Sequence, residues 1–495
     1  MNKKIALLLA IVLCLGAVAL GQAQKPSDLK FPPLQYEPPD PAAFRSAGVS
    51  GLRAYVQEDH TLPLFTISAL VNFGNLYVPK EKEGLGNVMS RTLIQGGTKA
   101  AEGTVIEERI DFLGGSLNFF VGERTSTLTL SVLSKDQEEG LRLFFDVLRN
   151  PEFREAPLSL AKARLIEDLR QANDQPSEIL GREYEKLLYG DHPLTWRPTK
   201  ATYEGITAAD LKAFHGQYFV PGNIILAASG DFAKADLLAR IEKEAAGWEN
   251  RKVAVPAIPT EFPKPEPGVY FVQKQINQGY ISLGHLGLED TNPDYYAVQV
   301  MNFILGGGSF TSRITTKVRS DEGLSYNQGS RFGYGWGFPG TFSGFVQTKS
   351  STVGYAVSLI ENEIDRMRTQ PVSDAEMETA VNYFLESFSS GFESPQMTMA
   401  AFAELEMTGK PMDYYKKYRD HIRAVTKARV QEVANKYIHP DRFVVLIVGD
   451  WEPCNAGGDK WPGPLDKLGK VHRIALADPM TGELPAETPK VIPKE

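Results

Sequence analysis

The sequence predicts an α+β fold: two homologous tandem α/β domains, each an antiparallel-rich sheet covered by helices. The leading observation is a repeat. Pro176, Gly190, Tyr218, Pro221, Gly230 and Asp231 recur as Pro395, Gly409, Tyr437, Pro440, Gly449 and Asp450, all at one offset of 219 residues. The surroundings repeat as well: GQYFVPGNIILAASGD and NKYIHPDRFVVLIVGD each read as a helix end, a proline turn, an apolar strand and Gly-Asp. Identities held in one register and set in matching patterns mark a duplicated unit. The second observation is the segment between the copies, Arg251 to Gly268, where Pro256, Pro259, Pro263, Pro265 and Pro267 give linker composition. The third is length: 495 residues exceed one hydrophobic core, so three domains or two large ones are expected.

At the N-terminus two lysines precede an apolar run from Ile5 to Leu20 and small residues near Gly21 and Ala23, the pattern of a secretory signal peptide over 1–23. The competing reading is a membrane anchor, for which the run is short against the roughly 20 residues a span needs. Leu13 before Cys14 argues against a lipoprotein signal. Residues 24–47 carry Pro26, Pro32, Pro33, Pro38, Pro39 and Pro41 and read as an extended arm, either flexible or laid across a partner.

The first domain is placed at 48–248, its fold starting at Gly51, where GLRAYVQEDHTLPLFTISALVNFG gives strand, turn and strand about Asp59 and Pro63. A helix over 84–95 comes next, then a second through Ile106, Ile110 and Leu113, stopped by Gly114 and Gly115. Alternation from Ser126 to Leu133 marks a strand, 137–149 a helix, and Pro157 to Tyr189 a long helical region. The linker is placed at 249–265, the second domain at 266–470 and a tail at 471–495, thinning into proline and glycine.

With Cys14 in the signal segment, Cys454 is the sole cysteine of the mature chain, so burial alone must hold the fold. The 61 acidic and 53 basic residues leave it mildly acidic without basic clusters, which speaks against nucleic-acid binding.

Chemistry concentrates in two stretches. In Glu83 to Thr98, EGLGNVMSRTLIQGGT, residues Leu85, Val88, Met89, Thr92 and Leu93 form one face of an amphipathic helix closed by Gly96 and Gly97, and Asn87, Ser90 and Arg91 fall on the other. The stretch resembles the zinc helix of the pitrilysin/insulinase family of zinc metallopeptidases, Gly-Leu-x-His-x-x-Glu-His. In that family two His hold the metal and the Glu activates water. The resemblance places Asn87, Ser90 and Arg91 at those three positions. An amide is a poor zinc ligand, a guanidinium does not deprotonate to bind a cation, and a hydroxyl is no general base. The family's third ligand is a Glu on a later helix, which here corresponds to either Glu167 or Asp168 in ARLIEDLRQANDQP; the ordinary reading of that pair is a solvated acidic patch among Arg164 and Arg170. No two histidines lie at i, i+3 or i, i+4, so ligand spacing is absent elsewhere too.

The second stretch, ILGGGSFTSRITTKVRSDEGLSYNQGSRFG, resembles the family's C-terminal-domain signature: a glycine run, a Ser-Arg helix, then an Arg followed seven residues later by Tyr. These are Arg319 and Tyr326, accompanied by Gly306, Gly307, Gly308, Ser312, Arg313, Gly323 and Leu324. The resemblance implies that the pair contacts the substrate backbone across the cavity from the zinc helix. A guanidinium offers planar donors to a peptide carbonyl, and a phenol can donate to an oxyanion. The ordinary alternative makes Arg319 a surface helix residue and Tyr326 a packing residue. RFGYGWGFPGTFSGF, from Arg331 to Phe345, lacks the Lys-Ser/Thr ending of a phosphate loop and reads as core, partner contact or cavity wall.

A disabled zinc helix beside an intact Arg–Tyr pair resembles the zinc-less subunit of a heterodimeric bacterial member of the family. That implies half of a clam-shell chamber, a homologous partner subunit bearing His-x-x-Glu-His and the zinc, peptide or unfolded polypeptide substrates, and export to the periplasm. No metal is expected in this chain, nor any activity by itself, nor a transmembrane segment once the signal is removed. The alternative, from the binding class, is a periplasmic scaffold or peptide-binding protein with no role in hydrolysis. A neighbouring reading frame encoding a chain of similar length with intact His-x-x-Glu-His discriminates the two.

Overall fold

Two six-stranded sheets carry the chain in the computed structural model, which describes residues 36–486. The signal peptide expected over 1–23, most of the arm over 24–47 and the last residues of the tail lie outside the described residues. Among the described residues no helix is long and apolar enough to cross a membrane.

The first sheet contains β1 (Arg45–Val49), β2 (Leu52–Glu58), β3 (Leu64–Val71), β4 (Ser116–Val121), β5 (Ser126–Leu133) and β6 (Ile224–Gly230), in the order β1-β2-β6-β3-β5-β4. Only β2 and β6 run parallel. The second contains β7 (Gly268–Gln273), β8 (Gln278–Leu286), β9 (Asn327–Phe332), β10 (Thr341–Lys349), β11 (Val444–Gly449) and β12 (Val471–Ile474), and from one edge reads β12-β7-β11-β8-β10-β9. Strand for strand, β2 to β6 are repeated by β7 to β11. The outermost strands differ: β1 comes from the N-terminal side and runs antiparallel to β2, whereas β12 comes from the C-terminal side and runs parallel to β7.

Both outer strands correct the sequence reading. Residues 45–47 belong to β1 and not to an extended arm, and a helical turn at Pro41–Phe44, capped by Asp40, leads into it. Val471–Ile474, expected in the tail, pairs with Val269–Val272. Neither segment carries strong alternation; pairing with an apolar neighbour makes them strands. The long helical region is two helices, Glu155–Arg170 and Pro176–Tyr189, because Pro176 has no amide hydrogen and starts a helix better than it continues one.

The halves are interlocked by a helix exchange. Helix Pro176–Tyr189 of the first half packs on β8 and β11 of the second sheet, and its repeat, Pro395–Met407, packs on β2 and β6 of the first. There Met399, Phe402 and Ala403 close over Tyr55, Ile225 and Ala227. In the reciprocal contact Tyr184 donates from Oη to the Phe342 carbonyl at 2.9 Å. Burying a side chain such as Phe402, fully enclosed here, contributes about 1.5–3 kcal/mol, so each sheet depends on the other half for one of its faces. Polar contacts follow the same path: Glu406 accepts from Arg45 Nε at 2.8 Å and Tyr55 Oη at 2.6 Å. The aromatic loop within 331–345 also meets the first half, with Arg124 over the rings of Trp336 and Phe338.

Candidate functional site

Helix α1 (Leu85–Thr92) starts at Gly84, whose φ of 90° and whose approach to Tyr203, where a Cβ would lie 2.5 Å from the ring, both require glycine. Leu85, Val88, Met89, Thr92 and Leu93 are fully buried, as the periodicity predicts. The opposite face is committed to other partners. Asn87 Nδ2 donates to Tyr203 Oη at 3.1 Å, and Ser90 Oγ donates to the Phe119 carbonyl at 3.4 Å. Arg91 Nη2 donates to Asp168 Oδ2 at 2.8 Å from helix α2 (Glu155–Arg170), while Glu167 turns aside to Arg170. Of the two carboxylates the sequence left open, Asp168 is the one that faces α1. Both members of its pair are solvent-exposed, so it stabilises the fold by about 0–1 kcal/mol.

Zinc, which the resemblance implies at this helix in active relatives, does not fit these residues. The Asn87 amide donates its hydrogen to a phenol, and the Arg91 guanidinium neutralises the Asp168 carboxylate. Among the described residues no three His, Cys, Asp or Glu side chains are grouped so as to hold a metal ion.

Cavities flank α1 on both sides. One of about 380 Å³ is lined by Ser90, Arg91, Glu107, Asp111, Asn118 and Arg164, and mixes both charges. The other, about 320 Å³, is lined by Glu83, Asn87, Glu123, Glu185, Trp196 and Arg197. Within it Glu83 Oε1 is buried without a hydrogen-bond partner, and burial pushes its carboxyl up to about 7. Beside the first cavity runs β4, which among the described residues is an edge strand paired with β5 alone, the arrangement to which an extended peptide can add.

The second constellation is built on tightly placed backbone. Gly306 passes so close to β9 that a Cβ would lie 2.3 Å from the Ser330 nitrogen. Arg313 then anchors the segment by a two-pronged pair with Glu376 at 2.5 and 3.1 Å. Thr316–Asp321 is wound as a π-helical turn carrying Arg319. The loop beyond is pinned by Glu322, which accepts from Lys460 and Lys317; those two hydrogen bonds hold its carboxyl down to about 2. Ser325 Oγ bonds both the amide and the carbonyl of Asn327, so the backbone bends at Tyr326 and turns its ring outward, 88% exposed.

The structure brings Arg319 and Tyr326 together and adds a residue the sequence did not single out. The guanidinium carbon lies 5.0 Å from the Tyr326 ring centre and 4.5 Å from that of Phe310, itself 61% exposed. Such cation–π contacts hold a guanidinium against the rings while its N–H groups can still donate. Phe310 was not legible because it stands well before Arg319 in the chain and meets it only through the successive turns Ser309–Thr311, Arg313–Thr315 and Thr316–Asp321. The pair is not brought to α1: neither lines either cavity beside that helix.

Comparisons with known proteins agree with this architecture. The insulinase family, peptidase family M16, matches residues 53–197, and the peptidase M16 inactive domain matches residues 205–384. A protein of Bacillus subtilis described as the uncharacterized zinc protease YmxG is 22% identical over 402 residues, 80% of this chain and 96% of its own length. A Helicobacter pylori protein described as the non-peptidase homolog YmxG is 22% identical over 398 residues, 80% of this chain and 91% of its own. Among solved structures, a peptidase M16 inactive domain from Pseudomonas fluorescens superposes with a TM-score of 0.72 at 22% identity, covering 82% of this chain and 97% of that one. The periplasmic protease PqqL of Escherichia coli superposes at 0.70 and 15% identity, covering 81% of this chain and 44% of that one.

Proposed function

Because this chain belongs to the insulinase family, peptidase family M16, we propose that it is the non-catalytic, substrate-positioning subunit of an exported peptidase whose hydrolytic half is a second, homologous chain bearing His-x-x-Glu-His. The observation that carries the reading is the exposed Phe310–Arg319–Tyr326 stack on a rigidly pinned loop, in a chain whose α1 is unfit for metal. Arg319 offers two parallel N–H donors to a substrate carbonyl, and Tyr326 offers a hydroxyl to the oxyanion that forms as that carbonyl is attacked. Neither role needs a metal in this chain. The open edge of β4 supports an extended peptide as substrate, and the N-terminal pattern of lysines and apolar residues supports export.

The test is affinity purification of the tagged chain from its native host, with mass spectrometry of what accompanies it. A stoichiometric His-x-x-Glu-His chain is expected, and the pair, but neither chain alone, should cleave a short fluorogenic peptide. Purification without such a chain, or a pair with no hydrolysis, would overturn the reading in favour of a scaffold.

A further inference from the structure

We propose a second binding site, for a guanidinium or primary ammonium group, in the cavity of about 410 Å³ between helices Asp374–Ser387, Pro395–Met407 and Tyr414–Arg423. It goes beyond the proposed function, since it involves neither α1 nor the Arg319–Tyr326 pair.

Rings of Phe384, Tyr414, Tyr415 and Tyr418 form much of the wall, and Lys410 Nζ already lies 5.2 Å over the Tyr414 ring. Every hydroxyl proton located among the lining residues is spent inward on the protein. Ser387 Oγ donates to the Tyr383 carbonyl at 2.6 Å, Ser390 Oγ to the Ser387 carbonyl at 2.6 Å and Thr408 Oγ1 to the Glu404 carbonyl at 2.9 Å. Tyr415 Oη donates to the Ala401 carbonyl at 3.4 Å and Tyr418 Oη to Gln299 Oε1 at 3.2 Å. These oxygens therefore keep only lone pairs to offer a ligand. The one cation in the lining, Lys410, is neutralised by Asp290 at 3.2 Å.

Glu404 completes the pattern. It is exposed, and among the described residues its carboxylate has no ion-pair or hydrogen-bond partner. A wall of aromatic rings and lone pairs with one unpaired carboxylate disfavours anions. It attracts a group that is all donor and positively charged. Glu404 and Thr408 also line an adjoining cavity of about 280 Å³, where Arg124 lies 4.7 Å over the Trp336 ring. The chain thus already holds one of its own guanidinium groups over an aromatic ring in a cavity that Glu404 also lines.

The cation can come from a peptide side chain or from a free polyamine. Calorimetric titration of the whole chain, without any partner, separates these sources with N-acetyl-arginine amide, a short Gly/Ser peptide holding one central Arg, and spermidine. N-acetyl-citrulline amide, nearly the same shape without the charge, is the control. Saturable binding of the arginine amide is expected, with the citrulline control weaker by about tenfold or more. Glu404→Gln should cost about tenfold and Glu404→Lys should abolish binding, each with an unchanged circular dichroism spectrum because the side chain is exposed. Tighter binding of the peptide than of spermidine assigns the source to polypeptide, and the reverse assigns it to polyamine. Absence of saturation, equal binding of arginine and citrulline amides, or unchanged affinity in Glu404→Gln would overturn the site. Because no partner enters the assay, its failure leaves the substrate-positioning role untouched, and failure of that role leaves this site standing.

Discussion

Arg91 on α1 and Asp168 on α2 stand 2.8 Å apart, joined by a charge-assisted hydrogen bond. The scaffold that resembles the family's zinc helix is kept, with a permanent cation against the Asp168 carboxylate. The pair closes the position chemically while contributing little to stability, since both groups are in water.

The first prediction concerns metal. The purified chain alone should hold no stoichiometric zinc and cleave no peptide. Asn87→His, Ser90→Glu and Arg91→His together rebuild the motif facing Asp168, yet the triple variant alone should remain weakly active, because Arg319 and Tyr326 do not line the cavities beside α1. Elemental analysis and a fluorogenic peptide assay check both. One tightly held zinc per wild-type chain would refute the disabled helix, and full activity of the triple variant would mark a degenerate single-chain enzyme.

A second prediction separates substrate positioning from scaffolding. In the co-purified pair Tyr326→Phe removes one donor to the developing oxyanion and should lower kcat by about 10²-fold or more. Arg319→Ala should affect both KM and kcat. Size-exclusion chromatography should show both assemblies intact, and wild-type kinetics in both variants would leave only the scaffold role.

The joint between the halves makes stability depend on pH through Glu406. Hydrogen bonding from Arg45, then from Tyr55, with Arg45 and Arg53 charges nearby, holds its carboxyl down to about 2, below its ordinary value of 4.5, against the opposing effect of burial. A group whose folded pKa is depressed stabilises the fold above its unfolded value and loses that contribution as pH falls from about 4.5 toward 2. Urea unfolding should find Glu406→Gln less stable by about 2 kcal/mol at pH 7, with the gap closing below pH 4. A gap that stays constant down to pH 3 would count against the latch.

The exchanged helix supplies a fourth prediction. Phe402→Ala leaves a cavity against Tyr55 and should cost about 3–5 kcal/mol in urea unfolding. Because this core is shared, both sheets should lose stability in a single transition; a variant in which only one half melts early would show that the exchange does not couple them.

By itself the sequence determined what local periodicity and duplication can carry. The 219-residue repeat, the buried face of α1 and the strands with strong alternation are decided by neighbours a few residues away, so composition exposes them. The chemical identities of Asn87, Ser90 and Arg91 needed no coordinates either. Tertiary structure decided whatever depends on partners distant in the chain. β1 and β12 are strands because each finds a backbone edge to pair with, and β4 because it closes on β5. Which of Glu167 and Asp168 meets Arg91 depends on helix rotation, since adjacent residues on a helix point about 100° apart. The exchange of Pro176–Tyr189 and Pro395–Met407 has no local signature, because an amphipathic helix encodes the face it buries and not the sheet it buries it against. Phe310 joined Arg319 only once the chain between them was folded into the successive turns Ser309–Thr311, Arg313–Thr315 and Thr316–Asp321.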